Sequence, residues 1–204
     1  MKNDREYRNL AEILAPSESD EKIVRGYATT FNSPYLLYSD DEFELWETVD
    51  RNAFDQTDAS DTIFQYDHAG RVFARVSNGT LSLHADEHGL NIEANLGGTQ
   101  IGRDLYEEIL GGYTNKMSFG FTVSEDRWDN RNENGKEISQ RTILGVKKLY
   151  DVSAVSLPAN DQTSISARSL VDGEIARLKA ERLKREEMER IEAKRSALIE
   201  RCKS

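Results

Sequence analysis

The chain lacks several things that would settle its class at once. It has one cysteine, Cys202, in 204 residues. A disulfide framework is excluded, and a thiol nucleophile so close to a fraying end is disfavoured. The composition fits a reducing, intracellular compartment. There is no basic excess: the formal net charge is −10, so the positive footprint of a nucleic-acid binder is missing. No apolar run approaches the roughly 18 residues of a membrane helix. The opening MKNDREYRNLAEILAPS is charged within its first five residues and has no apolar h-region, so it does not read as a secretory signal. HExxH and CxxC are absent, as is the GxSxG elbow of α/β-hydrolases.

What is present divides into regimes. Residues 171–204 carry ten Lys/Arg and eight Asp/Glu, about +2, so the first 170 residues hold about −12. Residues 1–20 read as a flexible polar arm with one helical turn around Leu10, Ile13 and Leu14. A run of short segments with strand character follows: 22–31, 44–49, 61–66, 80–85 and 90–96. Turn signals divide them, at Asn32-Ser33-Pro34, Asp40-Asp41, Ser77-Asn78-Gly79 and Glu87-His88-Gly89. At residues 99–112 the period changes. Ile101, Leu105 and Ile109 recur at helical spacing, with Thr99 as N-cap and Gly111-Gly112 as the stop. The strand period returns in MSFGFTV (117–123), 140–146 and 149–157, while 125–137 reads as an exposed polar loop. From Leu170 the chain is dense in Glu, Lys, Arg, Ala and Leu, and predicts a long solvated helix. The fold class expected is therefore α+β: a mostly antiparallel, β-barrel-like core with a few flanking helices, plus a long C-terminal helix.

Three histidines carry candidate chemistry. Asp67, His68, His84 and His88 could be joined in a zinc site, since two histidines and a carboxylate can bind zinc. The spacing does not support it, because His84 and His88 flank a hairpin turn and read as exposed turn residues. His68, in QYDHAG, closes a strand. Serine hydrolysis needs a hydroxyl, a neutral imidazole to take its proton, and a third group to orient that imidazole. Ser118 offers a hydroxyl on the strand face opposite Met117, Phe119 and Phe121. Asp151 is a carboxylate inside an apolar strand, where an unpaired charge is costly. Each also has a plain reading: a small strand residue, a turn histidine, an edge carboxylate facing water. Spacing alone does not link the three.

Their order does fit a known pattern. RGYATTFN (25–32), ETVDRNAFD (47–55), FQYDHAGRVFARVSNGTLSL (64–83), DEHGLNIEANL (86–96), EEILGGY (107–113), MSFGF (117–121) and YDVSAVSLPAN (150–160) stand in sequence at plausible spacings. Over roughly residues 22–168 the chain resembles the prohead proteases of tailed bacteriophages, capsid-maturation serine proteases related in fold to the herpesvirus assembly proteases.

The resemblance implies His68 as general base, Ser118 as nucleophile and Asp151 as orienting acid, with no cofactor and no metal. Relatives carry Glu at the third place and the herpesvirus enzymes a second His, so an Asp implies a closer strand or a longer hydrogen bond. The loop 160–168, whose Arg168 matches a family arginine, is a candidate source of oxyanion donors. The resemblance divides the chain into an arm (1–20), a protease domain (21–169) and a charged helical tail (170–204). It implies cleavage of scaffold protein or of the scaffolding segment of the major capsid protein, and of the enzyme itself, inside the prohead assembling in the bacterial host cytoplasm. Self-association belongs to this picture; nucleic acid and membrane do not. A catalytically silent relative that binds capsid or scaffold is the alternative.

Overall fold

A computed structural model describes residues 5–13, 15–16 and 22–156, and then positions 173, 175–177, 180–181, 183–185, 187–192 and 195; for 9–13 and 15–16 it describes the backbone. The chain divides into two units, 1–167 and 168–204. In the first, eleven strands follow in order: β1 (Glu6–Ile13), β2 (Ala15–Pro16), β3 (Ile23–Thr30), β4 (Tyr35–Ser39), β5 (Phe43–Val49), β6 (Ile63–Tyr66), β7 (Ala69–Arg75), β8 (Leu81–Ala85), β9 (Gly89–Asn95), β10 (Lys116–Glu133) and β11 (Lys136–Val155). One α-helix, α1 (Gln100–Leu110), lies between β9 and β10.

The strands form two open sheets, and among the described residues no barrel closes. The larger, seven-stranded sheet runs β1-β10-β11-β5-β4, with β6 on β11 and β7 on β6. The smaller runs β2-β3-β9-β8. The expected barrel gives way because β11 is long. It pairs antiparallel with β10 along its length, and its other edge is shared by β5 and β6, both parallel to it. The larger sheet therefore branches at β11, and its outer strands β1, β4 and β7 are not paired with one another, so it stays open.

Alternation explains the core. Met117, Phe119 and Phe121 of β10 are fully buried, with the rings of Phe119 and Phe121 stacked 4.5 Å apart. They join Val24 and Ala28 of β3, Ile92 and Ala94 of β9, Phe64 of β6 and Val152 and Ala154 of β11 in one hydrophobic cluster. Leu105 and Ile109 of α1 complete it. The Thr99 side chain caps α1 by accepting from the Gly102 amide at 3.1 Å, as its position predicts. Gly102, a poor helix former, is there because a Cβ would stand 2.2 Å from the Leu96 carbonyl oxygen.

Two expectations about local structure are corrected. Residues 6–13, read as an arm with a helical turn, form a strand with Asn9 opposite Ser118. Residues 125–137, read as a loop, are the outer half of the β10–β11 hairpin, turned by Asn134-Gly135 with φ of 54° and 85°. Most residues of that half are exposed, so neither face shows an apolar period; the Asn-Gly pair was its one strong signal. Among the described residues only α1 and a 3₁₀ turn at Val76–Asn78 answer the expected flanking helices. In the second unit the described positions are helical, but the single long helix expected from residue 170 is not described as a continuous element.

β1 is held by a buried ion cluster. Arg8 donates to Glu47 of β5 through Nε at 2.5 Å and Nη2 at 2.8 Å. Arg141 of β11 reaches the same carboxylate at 3.0 Å, and Tyr35 donates to it at 2.5 Å. Glu6 bonds both guanidinium groups, at 2.5 Å and 2.6 Å. Burial pushes the Glu47 carboxyl up, but Arg8 and Arg141 outweigh it and hold it below the usual range. Replacing Glu47 by Ala would leave buried Arg8 and Arg141 to share Glu6, with Asp126 on Arg141 alone, and a loss of about 3 kcal/mol in urea unfolding is expected.

Candidate active site

The three residues singled out from the sequence come from β10, from β11 and from the turn that links β6 to β7 beside β11. His68 sits between β6 and β7, where Tyr66 pairs with Ala69. Asp67 and His68 are thus a two-residue hairpin loop, and both have positive φ, 46° and 56°, as a type I′ turn requires. Asp and His tolerate this region better than most residues, at a cost on the order of 1–3 kcal/mol each. Bonds to the end of β11 offset that cost. The Asp67 amide donates to the Ala154 carbonyl at 2.9 Å, and its carboxylate accepts from the amide and hydroxyl of Ser156, both at 3.0 Å. The turn is therefore anchored where it delivers the imidazole to β11.

Ser118 and Asp151 are set by register. Ser118 lies opposite Ser153, and Gly120 opposite Asp151. His68 Nδ1 is 2.5 Å from Asp151 Oδ1, and His68 Nε2 bonds Ser118 Oγ. An ionised carboxylate only accepts, so Nδ1 carries the proton of the neutral ring and Nε2 accepts from the serine hydroxyl. Chemically, an imidazole so placed can accept a hydroxyl proton. The shorter Asp side chain needs no lengthened bond here: the two-residue turn brings the ring to it.

Asp151 is fully buried and its oxygens are engaged on both sides. Ser153 Oγ donates to Oδ1 at 2.7 Å and lies 3.3 Å from His68 Nδ1. Arg5 donates to Oδ2 through Nη2. Burial pushes the carboxyl up, but the bond and charge of His68, with Ser153 and Arg5, hold it below the usual carboxylate range. The Arg5 guanidinium also lies over the rings of Tyr7, at 5.0 Å, and Tyr150, at 4.5 Å. The Tyr7 ring packs on His68 with centroids 4.4 Å apart.

Sequence reasoning missed Ser153, Arg5 and Tyr7 near the site, and weighed Asp67 only as a zinc ligand. Ser153 could have been found, since it shares the face of Asp151 two positions along one strand. Asp67 could have been read as the first residue of a two-residue turn. Arg5 and Tyr7 lie just before and within a strand whose partner is more than a hundred residues away, and nothing local marks them. His84 and His88 are both exposed on the smaller sheet, with His88 edge-on to Tyr27 at 4.5 Å. Among the described residues no group of three His, Cys, Asp or Glu is placed to hold a metal. The loop 160–168 lies outside the described residues.

Because the folded-state Asp151 carboxyl is held below its unfolded value, its stabilisation is present above about pH 4 and lost as pH falls through the lower folded value. Urea midpoints measured from pH 7 downward should fall in that acid window, and should fall less in Asp151→Asn.

Residues 11–176, which include His68, Ser118 and Asp151, match the family model described as the caudovirus prohead serine protease. No curated protein and no solved structure matches the chain. The matched span is most of the chain, and within it a serine hydroxyl, an imidazole and a carboxylate stand in line. The chain belongs to the caudovirus prohead serine protease family.

Proposed function

We propose that the chain is a serine endopeptidase of capsid maturation, with Ser118 as nucleophile, His68 as general base and Asp151 as the acid that orients and stabilises the imidazolium. The observation that carries this reading is the His68 ring bonded on one side to the Ser118 hydroxyl and on the other to the Asp151 carboxylate. His68 Nε2 takes the hydroxyl proton as Oγ attacks the carbonyl carbon of the scissile peptide. The tetrahedral adduct collapses, and the amine leaves with the proton that His68 returns to it. A water activated by the same ring then hydrolyses the acyl-enzyme and restores Ser118. Backbone amides must hold the oxyanion.

The substrates in this reading are the scaffold protein or the scaffolding segment of the major capsid protein, met inside the assembling prohead. Self-cleavage accompanies it, and the mixed-charge tail from residue 170 to 204 is the segment suited to docking on scaffold before removal. The competing reading is an assembly protein that binds the same partners without cutting them. It has one observation in its favour, the complete burial of Ser118.

Co-expression with the capsid and scaffold proteins separates the two. Wild type should shorten those proteins and itself, and Ser118→Ala should leave all of them full length. Asp151→Asn should slow the cutting by about 10⁴-fold through the wrong imidazole tautomer. Full-length products with wild type would contradict the protease reading, and so would cleavage that survives Ser118→Ala and stops with a chelator.

A further inference from the structure

A nucleophile has to be reached, and Ser118 is 0% exposed. The strand that bears it is paired, residue against residue, with the chain's own N-terminal strand: Asn9 opposite Ser118, Tyr7 opposite Gly120. Arg5 and Tyr7 fall on the face of the sheet that carries Ser118. The space above Gly120 is already filled there. A Cβ on that glycine would meet Asp151 Oδ2 at 2.4 Å, Tyr7 Cε1 at 2.8 Å and Arg5 Nε at 3.0 Å. A scissile carbonyl must come within about 3–3.5 Å of Oγ, and its flanking residues would then run through the positions of Tyr7 and Arg5.

We infer that β1 is a built-in stopper of this site, with Tyr7 closing the approach to His68 and Arg5 drawing on the Asp151 carboxylate, so that the chain rests in a closed state until β1 is moved. The inference rests on the reading of Ser118 as nucleophile and names how that site is kept quiet. Two effects act in the same direction. The first is steric, through the Tyr7 ring on His68. The second is electrostatic. Attack by Ser118 places a positive charge on His68, and Asp151 is there to stabilise it. Arg5 already shares that carboxylate, so a second cation arrives beside a first. The groups facing Asp151 and His68 are Arg5, the residue before β1, Tyr7 of β1, Ser118 from β10, and Ser153 from β11, with Tyr150 under the Arg5 guanidinium.

The stopper is also built to come out. Arg5 Nε is buried with no hydrogen-bond partner, so release to water restores a bond. On the opposite face of β1, Arg8 and Glu6 leave with the strand. Glu47 keeps Arg141 and Tyr35, and Arg141 keeps Asp126 at 2.7 Å. Departure of β1 therefore leaves neither of them as a buried, unpaired charge.

The test is the rate at which a fluorophosphonate, a reagent for activated serines, labels the full-length chain. Wild type, Arg5→Ala and Tyr7→Ala are compared, with Ser118→Ala as blank. If the labelling rate follows the open fraction, each substitution should raise it by about tenfold or more. Circular dichroism and thermal melting check the fold. Arg5 lies just before the strand and its side chain is partly exposed, so Arg5→Ala carries the test if Tyr7→Ala does not fold. Wild type labelling as fast as folded Arg5→Ala would overturn the stopper and leave Ser118 standing as a nucleophile. If neither wild type nor folded Arg5→Ala labels, although amide exchange in β1 has quickened, Ser118 is not an activated serine; the protease reading then falls, and the stopper with it.

Discussion

The structure turns on one buried carboxylate. Asp151 stands in the part of β11 that is covered on both faces, and a charge there is tolerated only if it is paired and hydrogen-bonded. Its two oxygens take a serine of the same strand, an imidazole from the β6–β7 turn and a guanidinium from the residue before the N-terminal strand. Each partner fixes a piece of architecture. The imidazole requires a tight turn at positive φ, anchored to the end of β11. The guanidinium requires β1 to lie along β10. Gly120 is needed opposite Asp151 because any side chain would enter the volume these groups share.

Among its described side chains, β1 is held from both faces by charge. One face gives Arg5 to Asp151, and the other gives Arg8 to Glu47. Such a strand is strongly specified in register, since a slip of one residue would exchange the two sets of partners. Those charges are also ones that water can accept on release. The same feature thus supports both a well-defined closed state and its opening.

Much of the larger plan was legible because apolar period survives wherever one face is buried. MSFGF, the strands around residues 22–31 and 90–96, and the capped helix were readable in this way. The outer half of β10 was not, because most of its residues are exposed and it is joined to β11 by polar pairs such as Asp126 with Arg141. The N-terminal strand was not, because its alternating residues are Arg, Tyr and Glu whose partners are distant. Ser118 was expected on the face opposite Met117, Phe119 and Phe121, and that face proves buried as well. Alternation told which side of β10 it is on, but not that this side is covered too. The link between positions 68, 118 and 151 came from ordered resemblance, since contacts 50 and 83 residues apart leave no trace in spacing.

The central claim is the line from the Asp151 carboxylate through the His68 ring to the Ser118 hydroxyl. Nitrogen-15 NMR of the histidine rings, at a pH where His68 is neutral, reads it directly. The account predicts the proton on Nδ1 of His68, in a strong bond that moves its resonance far downfield, with Nε2 bare and shifted by Ser118→Ala. A His68 ring protonated on Nε2, or a mixture of the two tautomers, would contradict it.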